Sequence, residues 1–337
     1  MVDTDIVLFP DDPDYPTHPC HNHDLREAIM SGKQIKIAII GSGTIGLSFA
    51  ALHLLKNDAA DVAVFDTRPD LDEYVKRHLP GYLNVEDSGR YMNRLTIAKT
   101  LAEAVENAYA VQEQGPEKLD FKVSVWPGIE QHALRDALFW SSTSGIPASE
   151  QCKNMQDKSR LIVVHPFNPP HIMPVLELVP SPATSNDVID RTLSYWRGLG
   201  CSPVVVKKEC TGFVVNRLAF ALFREACSLV SSGVVSVEDL DEIVTTSMGP
   251  RWAVAGPFKA YHAGGGEDGL SGFMSKIGGT VQGCWDASAD DVGKHGIVVG
   301  GEWQEAICQQ AEEAYGLVDT KERDETTKKV LEAVGRG

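Results

Sequence analysis

The stretch IKIAIIGSGTIGLSFAALHLL, residues 35 to 55, constrains this chain more than any other. A run rich in isoleucine leads directly into Gly41, Gly43 and Gly46, spaced G-x-G-x-x-G, and then into an apolar helical pattern. In such a loop the first glycine permits the turn, the second lets backbone approach a pyrophosphate, and the third lets helix and strand pack closely. The helix N-terminus then faces the anion. Gly41, Gly43, Thr44, Ile45 and Gly46 are therefore assigned to a dinucleotide cofactor. The next apolar run, DVAVFD, ends at Asp66, about 20 residues past the last glycine, where a carboxylate accepts hydrogen bonds from an adenosine ribose. The same charge repels a 2′-phosphate, so NAD is expected over NADP. Arg68 argues the other way, since a basic group just beyond the strand is able to pair with that phosphate.

Short β-rich runs recur from residue 34 onward: IKIAII, DVAVF, AYAVQE, ALFWSSTS, LIVVH, VLELV and SPVVVKK, with helix-like segments between them. Continuous apolar runs of this length read as buried strands of a mainly parallel sheet with helices on its faces. After about residue 209 the runs stop. GFVVNRLAFALFREACSLV then reads as a long helix ending near Gly233, and SVED at 236–239 as the capping box of another. The expected fold is α/β, a Rossmann-type doubly wound parallel sheet followed by an all-α C-terminal domain. Its parts are an arm at 1–33, a dinucleotide domain at 34–209 and a helical substrate and dimerisation domain at 210–337. The glycine-rich stretch 263–301 leaves the helix boundaries open there.

Charge narrows the partners. With 31 basic against 47 acidic residues the net charge is −16, which argues against nucleic acid and anionic membranes and leaves a small-molecule substrate. The longest apolar stretch carries Asn216, Arg217, Arg224 and Glu225, which are costly in lipid. Seven scattered cysteines without zinc spacing suit free thiols in a reducing compartment, and a cytoplasmic location is expected. In the arm, HPCHNH sets His18, Cys20, His21 and His23 close together, but the spacing fits no standard zinc pattern, and no metal is expected.

VVHPFNPPHIMPVLELV, residues 163 to 179, places His165 after an apolar run and Glu177 inside the next one. In open parallel sheets, ligands sit at the carboxyl ends of strands, where His165 falls. An imidazole there can take the proton of a substrate hydroxyl. A buried carboxylate nearby would orient the ring and stabilise the imidazolium. On the residues alone, His165 is also readable as a structural strand-end histidine and Glu177 as the partner of an arginine.

IGSGTIG, VQEQGPE, SSTSG, VHPFNPPHIMPVLELVP and GFVVNRL, in this order, resemble the 3-hydroxyacyl-CoA dehydrogenase superfamily. HPFNPPHIMPVLELVPSPATS, KKECTGFVVNRLAFALFREACSLVSSGVVS and MGPRWAVAGP most resemble its λ-crystallin and L-gulonate 3-dehydrogenase branch, to which L-carnitine dehydrogenase is also similar. The resemblance implies NAD-dependent oxidation of the 3-hydroxyl of a small hydroxy acid, or its reverse. It implies catalytic roles for His165 and Glu177, and Ser144 and Asn216 as ligands of the reacting oxygen. It further implies that Glu113, Ser142 and Asn168 lie near the nicotinamide or frame the site, that Arg251 clamps a substrate carboxylate, and that the chain is a homodimer. Acyl-CoA members carry a longer lysine-rich segment after the second strand. Here TRPDLDEYVKRHLPGYLNVEDSGRYMNRLT is shorter and mixed in charge, which weakens the case for CoA. A carnitine or acyl-CoA substrate, a biosynthetic reductase and a λ-crystallin-like structural protein are the alternatives.

Overall fold

A computed structural model describes residues 34–336. The arm at 1–33, with its HPCHNH cluster, lies outside the described residues. Eight strands form one sheet: β1 (Ile35–Ile40), β2 (Ala60–Phe65), β3 (Leu95–Ile97), β4 (Ala108–Glu113), β5 (Leu138–Ser141), β6 (Leu161–Pro166), β7 (Val175–Pro180) and β8 (Ser202–Val205). Their order is β3-β2-β1-β4-β5-β6-β7-β8. All neighbours pair parallel except β6 and β7, which are antiparallel. The first six strands follow the doubly wound order, whose topological switch point lies between β1 and β4.

Alternation along β1 explains why helices are needed on both faces. Ile37 and Ile39 enter an apolar cluster with α1 (Thr44–Lys56), α2 (Leu71–Leu83) and α4 (Asn186–Gly198). Ala38 and Ile40 enter another with α3 (Leu119–His132) on the opposite face. The first cluster holds the fully buried Trp140, Tyr195 and Trp196, and the second holds Trp126 and Phe139. Full burial of a large apolar side chain contributes about 1.5–3 kcal/mol, so the sheet carries its own core.

Beyond it come only helices: α5 (Val215–Ser231), α6 (Val237–Ile243), α7 (Gly249–Val254), α8 (Pro257–Gly264), α9 (Gly269–Lys294), α10 (Trp303–Tyr315) and α11 (Thr320–Ala333). The Ser236 hydroxyl accepts the Asp239 N–H at the start of α6, as SVED implied. Two features differ from the reading by period. β3 has three residues, LTI, too few to show alternation, and only its pairing with β2 makes it a strand. The glycine-rich stretch is largely the 26-residue helix α9, and a Cβ on Gly265, just before it, would sit 1.6 Å from the Gly269 carbonyl oxygen. There glycine serves close backbone approach rather than flexibility.

Candidate active site

The glycine loop between β1 and α1 has the shape that a dinucleotide requires. Gly41 has φ +105°, and a Cβ there would meet the Gln114 backbone at 2.9 Å. A Cβ on Gly46 would lie 2.0 Å from the Gly41 carbonyl oxygen, so helix and loop touch through bare backbone. A Cβ on Gly43, the N-cap of α1, meets nothing within 4 Å and would project into open space. That open approach to a helix N-terminus fits a pyrophosphate. Asp66 Oδ2 accepts the Ser42 N–H (2.7 Å) and hydroxyl (2.8 Å), and Oδ1 accepts the Arg68 N–H (3.1 Å). Burial opposes its ionisation, but these donors prevail and hold the carboxyl below its ordinary range. The anion is therefore present for a ribose. Arg68 is turned to local partners: it forms a two-pronged pair with Asp70 (2.8 and 3.3 Å), and its guanidinium lies 3.4 Å over the Tyr74 ring.

His165 and Glu177 are direct cross-strand partners in the antiparallel register of β6 and β7. Both are buried, and His165 Nδ1 lies 2.8 Å from Glu177 Oε2. The other oxygen, Oε1, accepts the backbone N–H groups of Val214 (2.8 Å) and Val215 (3.1 Å), at the N-terminus of α5. Burial alone would raise the Glu177 pKa. The His165 bond and the two N–H groups outweigh it, and the carboxyl is held below its usual range. The turn before α5 is tight: Phe213 has φ +51°, uncommon for a side chain of its size, and it is fully buried. Its ring packs against the His165 imidazole, with centroids 5.2 Å apart. One strained residue thus covers the histidine and delivers the helix end to its carboxylate partner.

Ser144 sits exposed on the turn after β5. Its backbone N–H donates to Glu117 (3.0 Å), and its carbonyl accepts from Asn216 Nδ2 (3.0 Å). Ser144 and Asn216 are therefore in direct contact across the seam between sheet and helices. Ser142 donates its N–H to the Glu113 carbonyl (2.9 Å), and its hydroxyl accepts from Gln112 Nε2 (3.3 Å). Glu113 is fully buried against the ammonium of Lys122 (2.9 and 3.1 Å) and also accepts the Gly115 N–H (2.6 Å). Asn168 is exposed in the loop between β6 and β7. That loop is tied to α1 by Ser48, whose hydroxyl accepts the His171 N–H (3.1 Å) and lies 2.7 Å from His171 Nδ1. Arg251 is exposed on α7, and among the described residues no hydrogen bond or ion pair ties it to the His165 pair.

Residues 36–210 match the family model for the 3-hydroxyacyl-CoA dehydrogenase NAD binding domain, and residues 212–297 match that for the 3-hydroxyacyl-CoA dehydrogenase C-terminal domain. The chain belongs to the 3-hydroxyacyl-CoA dehydrogenase family. It is 35% identical over 291 residues to a 3-hydroxyacyl-CoA dehydrogenase of Gibberella moniliformis, covering 84% of this chain and 88% of that one. It is 32% identical over 332 residues to an L-carnitine dehydrogenase of Streptomyces griseus, covering 96% and 94%. Among solved structures it resembles 5-formyl-3-hydroxy-2-methylpyridine 4-carboxylic acid 5-dehydrogenase, described as an NAD+-dependent dismutase. That match has a TM-score of 0.66 at 32% identity and covers 73% of this chain and 79% of that one. A 3-hydroxyacyl-CoA dehydrogenase of Archaeoglobus fulgidus shares the fold, with a TM-score of 0.60 at 24% identity, over 90% and 100% of the two chains.

As a 3-hydroxyacyl-CoA dehydrogenase family member, the chain uses its sheet as an NAD-binding domain, and the glycine loop and Asp66 fit that cofactor. Period and motif did not reveal Ser42, Glu117, Lys122 or the N–H groups of Val214 and Val215. Lys122 had one signal, a lysine between Phe121 and Val123 on a helix that packs apolar side chains inward. Backbone donors leave no trace in a sequence.

Proposed function

We propose that the chain is an NAD-dependent dehydrogenase that oxidises the 3-hydroxyl of a small, free hydroxy acid to a ketone, or catalyses the reverse. The observation that carries this reading is the buried His165–Glu177 pair, 2.8 Å across, at the same carboxyl-terminal edge of the parallel strands as a loop shaped for a dinucleotide. Bound NAD+ supplies the hydride acceptor. Glu177 holds the Nδ1 edge of the imidazole, which leaves Nε2 as the nitrogen that takes the hydroxyl proton. The carboxylate then faces the imidazolium and stabilises it. Ser144 and Asn216 lie together at the seam, where hydroxyl and amide donors can meet the developing carbonyl oxygen. Asn168 completes the frame, and Glu113 and Ser142 line the nicotinamide side. Arg251 receives the substrate carboxylate.

L-Gulonate and L-carnitine are both free 3-hydroxy acids. The branch resemblance favours the first, and several relatives named L-carnitine dehydrogenase, at 32–38% identity, favour the second. A screen of L-gulonate, L-carnitine, 3-hydroxybutyrate and 3-hydroxybutyryl-CoA, read as NADH absorbance, tests the proposal. Turnover of at least one free acid supports it; turnover of the thioester alone would overturn it in favour of a CoA substrate. We read residues 34–209 as the cofactor domain and 210–337 as the substrate and dimerisation domain of a homodimer. The exposed Leu218, Phe220 and Phe223 on α5 support that assembly. The six cysteines within the described residues are unpaired, which agrees with a reducing, cytoplasmic setting. Among the described residues no helix is long and apolar enough to cross a membrane.

A further inference from the structure

The motif VQEQGPE ends on a carboxylate to which the reading above gives no task. Glu117 stands exposed on the turn before α3, yet its Oε1 is crowded with donors: the Thr143 hydroxyl (2.5 Å), the Ser144 N–H (3.0 Å) and the Gly145 N–H (3.1 Å). Its other oxygen, Oε2, lies 3.8 Å from the Lys122 ammonium. Lys122 is in turn bonded to Glu113 at 2.9 Å, and Glu113 accepts the Ser141 hydroxyl at 3.3 Å. A continuous chain of charge and hydrogen bonds therefore runs from the end of β4, through one buried lysine, to three successive residues after β5.

The middle one of those three is Ser144. Its N–H is held by Glu117 and its carbonyl by Asn216, while no hydrogen bond to its hydroxyl is found among the described residues. With both backbone groups gripped from opposite sides, the side-chain oxygen is the part of the residue left to face a substrate. A turn carrying an oxygen-binding hydroxyl must keep it within a fraction of an ångström, because displacement by about 1 Å can cost ~10²-fold in rate. A charged acceptor shared by two adjacent N–H groups suits that task better than a neutral one, since bonds to an ionised group are shorter and roughly twice as strong.

We propose that Glu117, braced by Lys122, is a positioning residue that fixes the Ser144 turn in its working orientation. This deepens the dehydrogenase reading and rests on it for the kinetic consequence, though not for the geometry. Glu117→Ala removes the acceptor; Glu117→Gln keeps an oxygen for the two N–H groups but not the charge.

Two measurements on the full-length protein test the proposal. The first is hydrogen–deuterium exchange of the segment around 143–145 without substrate, which needs no turnover. Glu117→Ala should speed exchange there by about tenfold or more, and Glu117→Gln should restore most of the protection. The second is steady-state kinetics with the acid that performs best in the screen. Glu117→Ala should lower kcat roughly 10- to 100-fold while the Kd for NADH stays within about twofold, and Glu117→Gln should recover most of the loss. Unchanged exchange at 143–145 would overturn the proposal whether or not any hydroxy acid is a substrate. So would a Glu117→Ala enzyme with full kcat. A kcat loss accompanied by equal loss of NADH affinity and of thermal stability would also overturn it, because that marks general damage. A wild-type protein that turns over no hydroxy acid sinks the functional reading instead, and the exchange experiment still decides the grip on the turn.

Discussion

The two halves of the molecule treat their large side chains in opposite ways. In the sheet half, Trp126, Trp140, Tyr195 and Trp196 are 0% exposed. Along α5 in the helical half, Leu218, Phe220 and Phe223 are 62%, 63% and 59% exposed, and Trp285 on α9 is 61% exposed. A sheet covered by helices on both faces closes its own core. A helix with aromatic side chains open to water needs cover from elsewhere, since soluble monomers rarely leave large contiguous apolar patches exposed. The halves therefore differ: the NAD-binding sheet is a platform that closes its own core, and the helical half leaves large apolar side chains open.

The largest effect expected from this division is chemical. His165 belongs to the platform, but its partner Glu177 is held by the N-terminus of a helix from the other half. With the proposed role of His165, His165→Ala should lower kcat by ~10²–10⁴-fold, the usual worth of a general base. NADH binding, measured by fluorescence titration, should stay near that of the wild type, because the glycine loop and the Asp66 contacts with Ser42 do not involve His165. Joint loss of binding and turnover would mean that His165 also supports the cofactor site.

The second effect concerns cover. Phe220→Glu combined with Phe223→Glu places two charges on the open face of α5. For a homodimer joined there, loss of such buried anchors costs about 2–4 kcal/mol. Light scattering should then find monomer at concentrations where the wild type is dimeric. Unfolding should separate into two transitions, the helical half melting first. A double variant that stays dimeric would place the interface elsewhere and leave the exposed aromatics unexplained.

A third, smaller effect belongs to the platform. His53 is fully buried, with ring nitrogens 2.8 Å from the Tyr195 hydroxyl and 2.9 Å from Gln112 Oε1. Burial drives its pKa down to about 4, although the Gln112 bond works against the shift. A histidine that ionises less readily folded than unfolded favours the native state fully above the unfolded pKa of about 6.5. That contribution drains away as pH falls toward 4, because the unfolded chain binds the proton first. Between pH 7 and 5 the wild type should lose about 2 kcal/mol from this site, and His53→Gln should lose less over the same interval in urea titrations. Equal losses would show that His53 does not govern the acid limb.

What could be read in advance follows the same division. The glycine loop and Asp66 were legible because each is a local pattern, a turn with fixed spacing or a strand end; the proline-rich run left the pairing of His165 with Glu177 open, and the family resemblance chose it. β3 was not legible, because three residues show no period and its pairing with β2 is a tertiary event. The donors to Glu177 were invisible because they are backbone groups of Val214 and Val215, placed by the left-handed turn at Phe213. The grip of Glu117 on the Ser144 turn joins residues 27 apart through a loop, and no periodicity encodes it.

The smallest expected effect lies at the rim of the platform, where Asp66 and Arg68 bear in opposite senses on a 2′-phosphate. Its guanidinium is clamped edge-on by Asp70 and stacked on Tyr74, an arrangement that holds it among its own neighbours. Asp70 is about half exposed, and surface pairs of this kind are typically worth under about 1 kcal/mol. Releasing the clamp with Asp70→Asn should therefore tilt nucleotide choice only a few-fold. Affinity for 2′,5′-ADP, measured by calorimetry, should rise by that factor while affinity for NADH barely moves. NAD should remain preferred, because the two Ser42 bonds keep Asp66 charged and that charge would repel a 2′-phosphate. A rise of a hundredfold would mean that the clamp, rather than Asp66, sets cofactor choice. No rise at all would mean that the freed arginine does not reach the 2′ position. Either outcome would locate the selectivity of the sheet half more finely than its core packing can.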